Sequence, residues 1–282
     1  MSYPNQRTGM SRAVRGRSRM GCTARLVIAL VFVAFGVIKF LASTSVVTNA
    51  YTGEKQRLAL SPNQEVQLGL QSVPKMIQMH GGQHADPRAQ AMVDQVGAKL
   101  VANVNSLARY GEPIPYPFDF HLLADEKMIN AFALPGGQIF ITAALFKQLE
   151  NEAQLAGVLG HEVGHVVAKH SNEQMSKSSL LRGIGTGIGV AVGGDSAMAT
   201  SQVSAMVNKV LATKYGRDDE YESDKIGAIL MHKAGYDPNE ILGVLEILKR
   251  AASGPRPVEM LSTHPLPENR IDKIKEVLAG LP

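Results

Sequence analysis

The residues best able to do chemistry lie together at His161-Glu162-Val163-Gly164-His165. On a helix, side chains four apart share a face, so the imidazoles of His161 and His165 can close on one ion about 2.0–2.1 Å from each nitrogen. Glu162 then lies beside that ion. Two neutral nitrogen ligands and a carboxylate placed to take a proton from activated water are what a zinc hydrolase needs.

A catalytic zinc usually takes three protein ligands and keeps one open position, so a further donor is expected. The acidic stretch Arg217-Asp218-Asp219-Glu220-Tyr221-Glu222-Ser223-Asp224 supplies it. Glu220 and Asp224 are four apart and share a face: one can bind zinc while the other accepts a hydrogen bond from a ligand histidine and fixes its tautomer. Spacing leaves open which does which. Glu222 projects about 200° away from Glu220 and is expected to be solvated. Cys22 is the only cysteine, so zinc must be bound by histidine and carboxylates.

Around these groups the pattern is helical. Asn151 can cap the motif helix with Gln154 at the matching capping-box position, and apolar residues recur at Leu155, Val158, Leu159 and Val166. Gly157, Gly160 and Gly164 each weaken it by up to about 1 kcal/mol relative to Ala, which calls for close approach of a neighbouring element or of substrate. Just before it, Asn130 to Thr142 reads as strand, Pro-Gly-Gly turn, strand. One strand either offers an exposed edge to a peptide near Asn130, Ala131 and Phe132, or belongs to an ordinary buried hairpin; both readings are open.

Elsewhere, Ser61-Pro62 opens a helix with Gln64 completing a capping box, continuing to Val73 before Pro74 interrupts. Asp86-Pro87 opens another, with Val93, Val96, Leu100, Val104 and Leu107 at helical spacing, and Phe118, Phe120 and Leu122 alternate as in a strand. Asp237-Pro238-Asn239-Glu240 makes a capping box, and Pro267 opens a last helix carrying Ile271, Ile274 and Leu278. The glycine-rich run Leu180 to Val192 is too short for a second membrane span and is expected to form a mobile flap over the site.

The net charge of +4 over 282 residues comes from the front of the chain. Six arginines and no acids occupy residues 1–25, so the rest is slightly acidic, without the basic excess of a nucleic-acid binder. The apolar run 26–42 after this leader reads as an uncleaved signal anchor, with a cleaved signal peptide as the alternative. Arginines stay cytoplasmic, so residues from about 45 onward are expected outside the cytoplasm. That describes a bacterial inner-membrane protein facing the periplasm; an Arg- and Ser-rich leader also fits a mitochondrial presequence, which makes the mitochondrial inner membrane the alternative.

His161-Glu162-x-x-His165 followed by Glu220-x-x-x-Asp224 resembles the gluzincin metallopeptidases. Asn130-Ala-Phe-Ala-Leu-Pro-Gly-Gly137, Ser262-Thr-His264-Pro265 and Asn269-Arg270-Ile271 narrow the resemblance to the HtpX, Oma and CAAX-protease type of membrane-associated zinc metalloendopeptidase, nearest its periplasmic BepA-like and LoiP-like members. The resemblance implies one zinc held by His161, His165 and Glu220, with Glu162 as catalytic base and Asp224 behind a ligand histidine. It also implies that His264 lies near the metal, either steadying the tetrahedral intermediate or occupying the open position as a brake.

The expected fold is α+β and zincin-like, mostly helical with a small sheet. The expected organisation is a cytoplasmic leader over 1–25, an anchor over 26–42, a tether over 43–60 and a metallopeptidase domain over 61–282. Expected partners are unfolded or misassembled envelope proteins and the membrane. The rival expectation is a zinc-containing chaperone or binding module whose catalysis is idle or latched.

Overall fold

The computed structural model describes residues 22–180, 214–254, 257–265 and 269–281. The leader up to residue 21, the expected flap from residue 181 onward and Pro267 lie outside the described residues. What is described is mostly helical, with two small sheets.

Helix α1 (Cys22–Ser43) leads into strand β1 (Ser45–Thr48), which pairs antiparallel with β2 (Lys55–Leu58). Val31, Phe35 and Ile38 are exposed along α1; among the described residues no helix is long and apolar enough to cross a membrane. The stretch expected as a polar tether is therefore largely this hairpin. Its polar residues have a destination: Asn49 Nδ2 donates to the Val167 carbonyl at 2.9 Å and Gln56 Nε2 to that of Ala168 at 2.7 Å. Those carbonyls end the motif helix and have no partner within it.

Helix α2 (Pro62–Met79) starts with the expected Ser61–Gln64 capping box but runs straight through Pro74. Proline deprives the carbonyl four residues back of its bond, and that residue, Leu70, is solvent-exposed, so water can replace it. Helix α3 (Pro87–Val101) carries buried Val93, Val96 and Leu100, while Val104–Leu107 forms a separate 3-10 turn. Strands β3 (Asp119–Leu123), β4 (Ala131–Leu134) and β5 (Gln138–Thr142) form a sheet in the order β3-β5-β4, with β3 parallel and β4 antiparallel to β5. The turn between β4 and β5 uses Gly136 and Gly137 at φ 87° and 102°, a left-handed region open mainly to glycine.

After short α4 (Ala143–Phe146) come the motif helix α5 (Glu152–Val167), a helical stretch over 170–180, α6 (Arg217–Lys233), α7 (Glu240–Ala252), α8 (Met260–Thr263) and α9 (Arg270–Ala279). Helix α7 begins later than its expected box, because Asp237 spends its Oδ1 on the backbone and side chain of Asn239. Every residue of α5 from Gln154 to Val167 is buried, as befits a helix apolar on most of its circumference and packed on all sides. The close approach expected at its glycines is made by α6. A Cβ on Gly160 would sit 3.3 Å from Gly227 Cα, and one on Gly164 would sit 2.8 Å from the Ser223 carbonyl oxygen.

Candidate metal centre

Asn151 caps α5, its Oδ1 accepting from the Gln154 amide at 2.9 Å. Gln154 does not return the bond; its side chain instead joins the Glu150 amide to Glu240 on α7. From this start the helix carries His161 and His165 to the face that meets α6. Their Nε2 atoms lie 3.0 Å apart. Glu220 on α6 brings Oε1 to 3.4 Å from His165 Nε2 and Oε2 to 3.5 Å from His161 Nε2. His264, at the end of α8, points Nδ1 to 3.2 Å from His161 Nε2 and 3.1 Å from Glu220 Oε1. One ligand atom from each of His161, His165, Glu220 and His264 falls within 4.8 Å of all the others, and all four residues are buried.

The chemistry of the site fits a metal ion. Both oxygens of Glu162, which is 0 % exposed, and Oε2 of Glu220 are buried without a hydrogen bond among the described residues. Arg270 Nη1 stands 2.7 Å from that Glu220 oxygen as an ion pair, without the alignment of a hydrogen bond. Buried carboxylate oxygens left unbonded are costly, and a divalent cation among them removes the cost. Three imidazoles and a carboxylate, with no thiolate, are a zinc donor set.

The model of Peptidase family M48 matches residues 87–278, a span that takes in every one of these groups. The chain belongs to peptidase family M48. Among similar proteins is the beta-barrel assembly-enhancing protease of Escherichia coli K12, 33% identical over 225 residues, covering 75% of this chain and 43% of that protein. The mitochondrial metalloendopeptidase OMA1 of Schizosaccharomyces pombe is 34% identical over 164 residues, 57% of this chain and 47% of the relative. Metalloprotease YcaL of Escherichia coli is 27% identical over 184 residues, 65% of this chain and 70% of the relative. The chain thus spans less than half the length of the assembly-enhancing protease. M48 peptidases use zinc, which agrees with the donor set.

Electrostatics in the M48 centre separate its acids. Burial pushes Glu162 above the ordinary carboxylate range, with the His264 and His161 charges only partly opposing it. Glu220 is as deeply buried, yet contacts with His264, His165 and His161 outweigh burial and hold it well below that range. Burial drives His165 down and so keeps it neutral, as a ligand must be. His264 goes the other way: burial opposes its charge, but the carboxylates of Glu162 and Glu220 raise it.

Of the two acids that spacing could not tell apart, Glu220 enters the cluster. Asp224 stands behind it, its Oδ1 accepting from His161 Nδ1 at 2.9 Å. Glu222 is not solvated as expected; it is partly buried, with Oε2 3.0 Å from His170 Nε2. Around α6, the helix reaches His170 because that residue stands off the end of α5 rather than on it. Asn130 is buried with Oδ1 unbonded among the described residues, and Ala131 and Phe132 belong to β4, one of the two edge strands of its sheet though buried along its length.

Three neighbours of the centre had no role in the reading of spacing. Tyr215 stacks on the His165 ring at 3.9 Å between centroids. Arg270, present only within a resemblance block, pairs with Glu220 and Asp224. His170 contacts the far nitrogen of His165. The available signals were an aromatic next to the acidic helix and a histidine five residues past the motif, neither specific without the fold.

Proposed function

We propose that this M48 peptidase is a zinc-dependent endopeptidase that cleaves unfolded or misassembled proteins outside the cytoplasm. The observation that carries this reading is the juxtaposition of four buried ligand atoms with a fifth buried group, Glu162, whose oxygens no donor among the described residues occupies. His161, His165 and Glu220 would hold the ion, with His264 beside it in the same cluster. When bound, zinc polarises the scissile carbonyl and brings the pKa of water down to about 7. Glu162 accepts the proton of the attacking water and returns it to the leaving amine, work that suits a carboxylate whose proton affinity burial raises above the ordinary range. Asp224 keeps His161 in the tautomer whose Nε2 is free, and Arg270 neutralises Asp224 in turn.

The peptide is proposed to add to the outer margin of β4. Pairing of Asn130 with Thr142 turns even-numbered residues toward β5, so the main chains of Ala131 and Ala133 face away from it. Ile129 follows the same alternation and is bonded to Pro257 and Met260. The incoming strand would therefore begin after Ile129, next to the unbonded Asn130 Oδ1.

The apolar sequence of 26–42 behind the arginine leader supports the anchor, which would leave the leader in the cytoplasm and the zincin-like domain over 61–282 outside it. Similarity to the beta-barrel assembly-enhancing protease supports an envelope quality-control role, and similarity to the mitochondrial metalloendopeptidase OMA1 keeps the mitochondrial alternative. A second reading rests on His264: its Nδ1 takes the position a water needs, which describes a latched site or a zinc-containing binding module.

The test compares the full chain with its Glu162→Gln form for bound zinc and casein cleavage, in parent and His264→Ala backgrounds. Zinc throughout, with cleavage wherever Glu162 is retained, supports the peptidase. Zinc throughout with no cleavage favours the binding module, and no zinc in any form overturns both.

A further inference from the structure

Each ligand histidine needs a partner for its second ring nitrogen. His161 finds Asp224 directly. His165 has no carboxylate beside its Nδ1; the atom there is Nδ1 of His170, 2.9 Å away. His170 in turn sets Nε2 3.0 Å from Glu222 Oε2, with Ser223 Oγ at 3.4 Å from its Nδ1 and Asp219 Oδ1 at 3.9 Å from Nε2. The row Glu222, His170, His165 ends at the cluster.

We propose that His170 and Glu222 are positioning residues that fix the tautomer and orientation of His165 for zinc. This rests on the reading of the centre as a zinc site. The direction of the hydrogen bonds follows from it. His165 Nε2 faces the other ligands, so a metal there leaves the ring proton on Nδ1, which must donate. His170 Nδ1 must then accept, and a neutral His170 carries its proton on Nε2, where Glu222 accepts it. The reverse direction would put a proton on His165 Nε2 and exclude metal.

The backbone is built to make this contact. Had α5 continued, His170 would lie about 140° around the axis from His165. Instead Lys169 adopts φ 60°, a left-handed conformation uncommon for a residue with a side chain. Its ammonium group is buried, 2.6 Å from Glu65 Oε2 and bonded to the Tyr116 hydroxyl. The turn breaks the helix and brings His170 back against the edge of the His165 ring, centroids 4.9 Å apart. Tyr215 covers that ring from its face, so His165 is held both by packing and by the relay.

The test measures zinc dissociation constants of full-length variants by competition with a chromophoric chelator, with the visible spectrum of the cobalt-substituted protein as a second readout. His170→Phe keeps the ring volume but offers no acceptor, and should weaken zinc by about 10- to 100-fold and change the cobalt spectrum. His170→Asn puts an amide oxygen near the lost Nδ1 and should recover most of the affinity; His170→Gln places its amide near Nε2 and should not. Glu222→Ala, at a partly exposed position where folding is not at risk, should weaken zinc severalfold. Parental affinity in His170→Phe, no difference between the Asn and Phe forms, or an unaffected Glu222→Ala would each overturn the proposal. A parent that binds no zinc overturns it together with the reading of the centre.

Discussion

Arg270 holds Asp224 at two points, Nε 2.8 Å from Oδ2 and Nη2 2.8 Å from Oδ1. Both residues are buried, and the planar guanidinium matches the carboxylate in a way an ammonium cannot. Burial pushes Asp224 up, but the Arg270 charge and bonds from His161 and Arg270 outweigh it and leave its pKa lowered. The stabilisation is then fully present above the unfolded value of about 3.9 and is lost as pH falls through the lower folded value. Asp224→Asn should cost the zinc-free chain about 3 kcal/mol at neutral pH. In urea titrations that gap should narrow as pH falls below about 4; a gap independent of pH would contradict the assignment.

The glycines of α5 set how near Glu220 comes to the histidines. Gly164→Ala drives a Cβ to 2.8 Å from a backbone oxygen of α6, so its gain of up to about 1 kcal/mol in helix propensity is outweighed by overpacking of about 1–3 kcal/mol. Gly160→Ala meets Gly227 at 3.3 Å and should be nearly neutral. Thermal melts should rank the two in that order, with zinc binding weakened at Gly164. Equal melting temperatures would show that the helices can part freely.

Asn130 Oδ1 is a buried acceptor with no donor among the described residues. If it takes an amide proton of the peptide, Asn130→Ala should raise KM several-fold and leave kcat, zinc content and melting temperature almost unchanged, a loss of about 1 kcal/mol in binding. A fall in kcat at constant KM would remove Asn130 from the substrate site.

His264 Nε2 lies 3.6 Å from Glu162 Oε1 while its Nδ1 completes the ligand cluster. As a brake it should release both on removal: His264→Ala should bind zinc more weakly and cleave casein faster at saturating zinc. Slower cleavage under those conditions would assign His264 to the transition state instead.

The helical spacing of His161, Glu162 and His165, the Asn151 cap, the Pro-Gly-Gly turn and the pairing of Glu220 with Asp224 were legible because helix and turn chemistry acts over a few residues. Their division of labour was not. Which acid enters the cluster depends on the angle and depth at which α6 meets α5, set by small residues on both helices. The hairpin over 45–58 was hidden because its polar side chains pair with carbonyls more than a hundred residues away. His170 illustrates the same limit. Read as a continuing helix it points away from the metal, and it reaches His165 only because Lys169 turns left-handed against Glu65, 104 residues earlier in the chain. Periodicity encodes which side chains share a face of one element, whereas a buried long-range ion pair decides where that element stops and what the next residue touches.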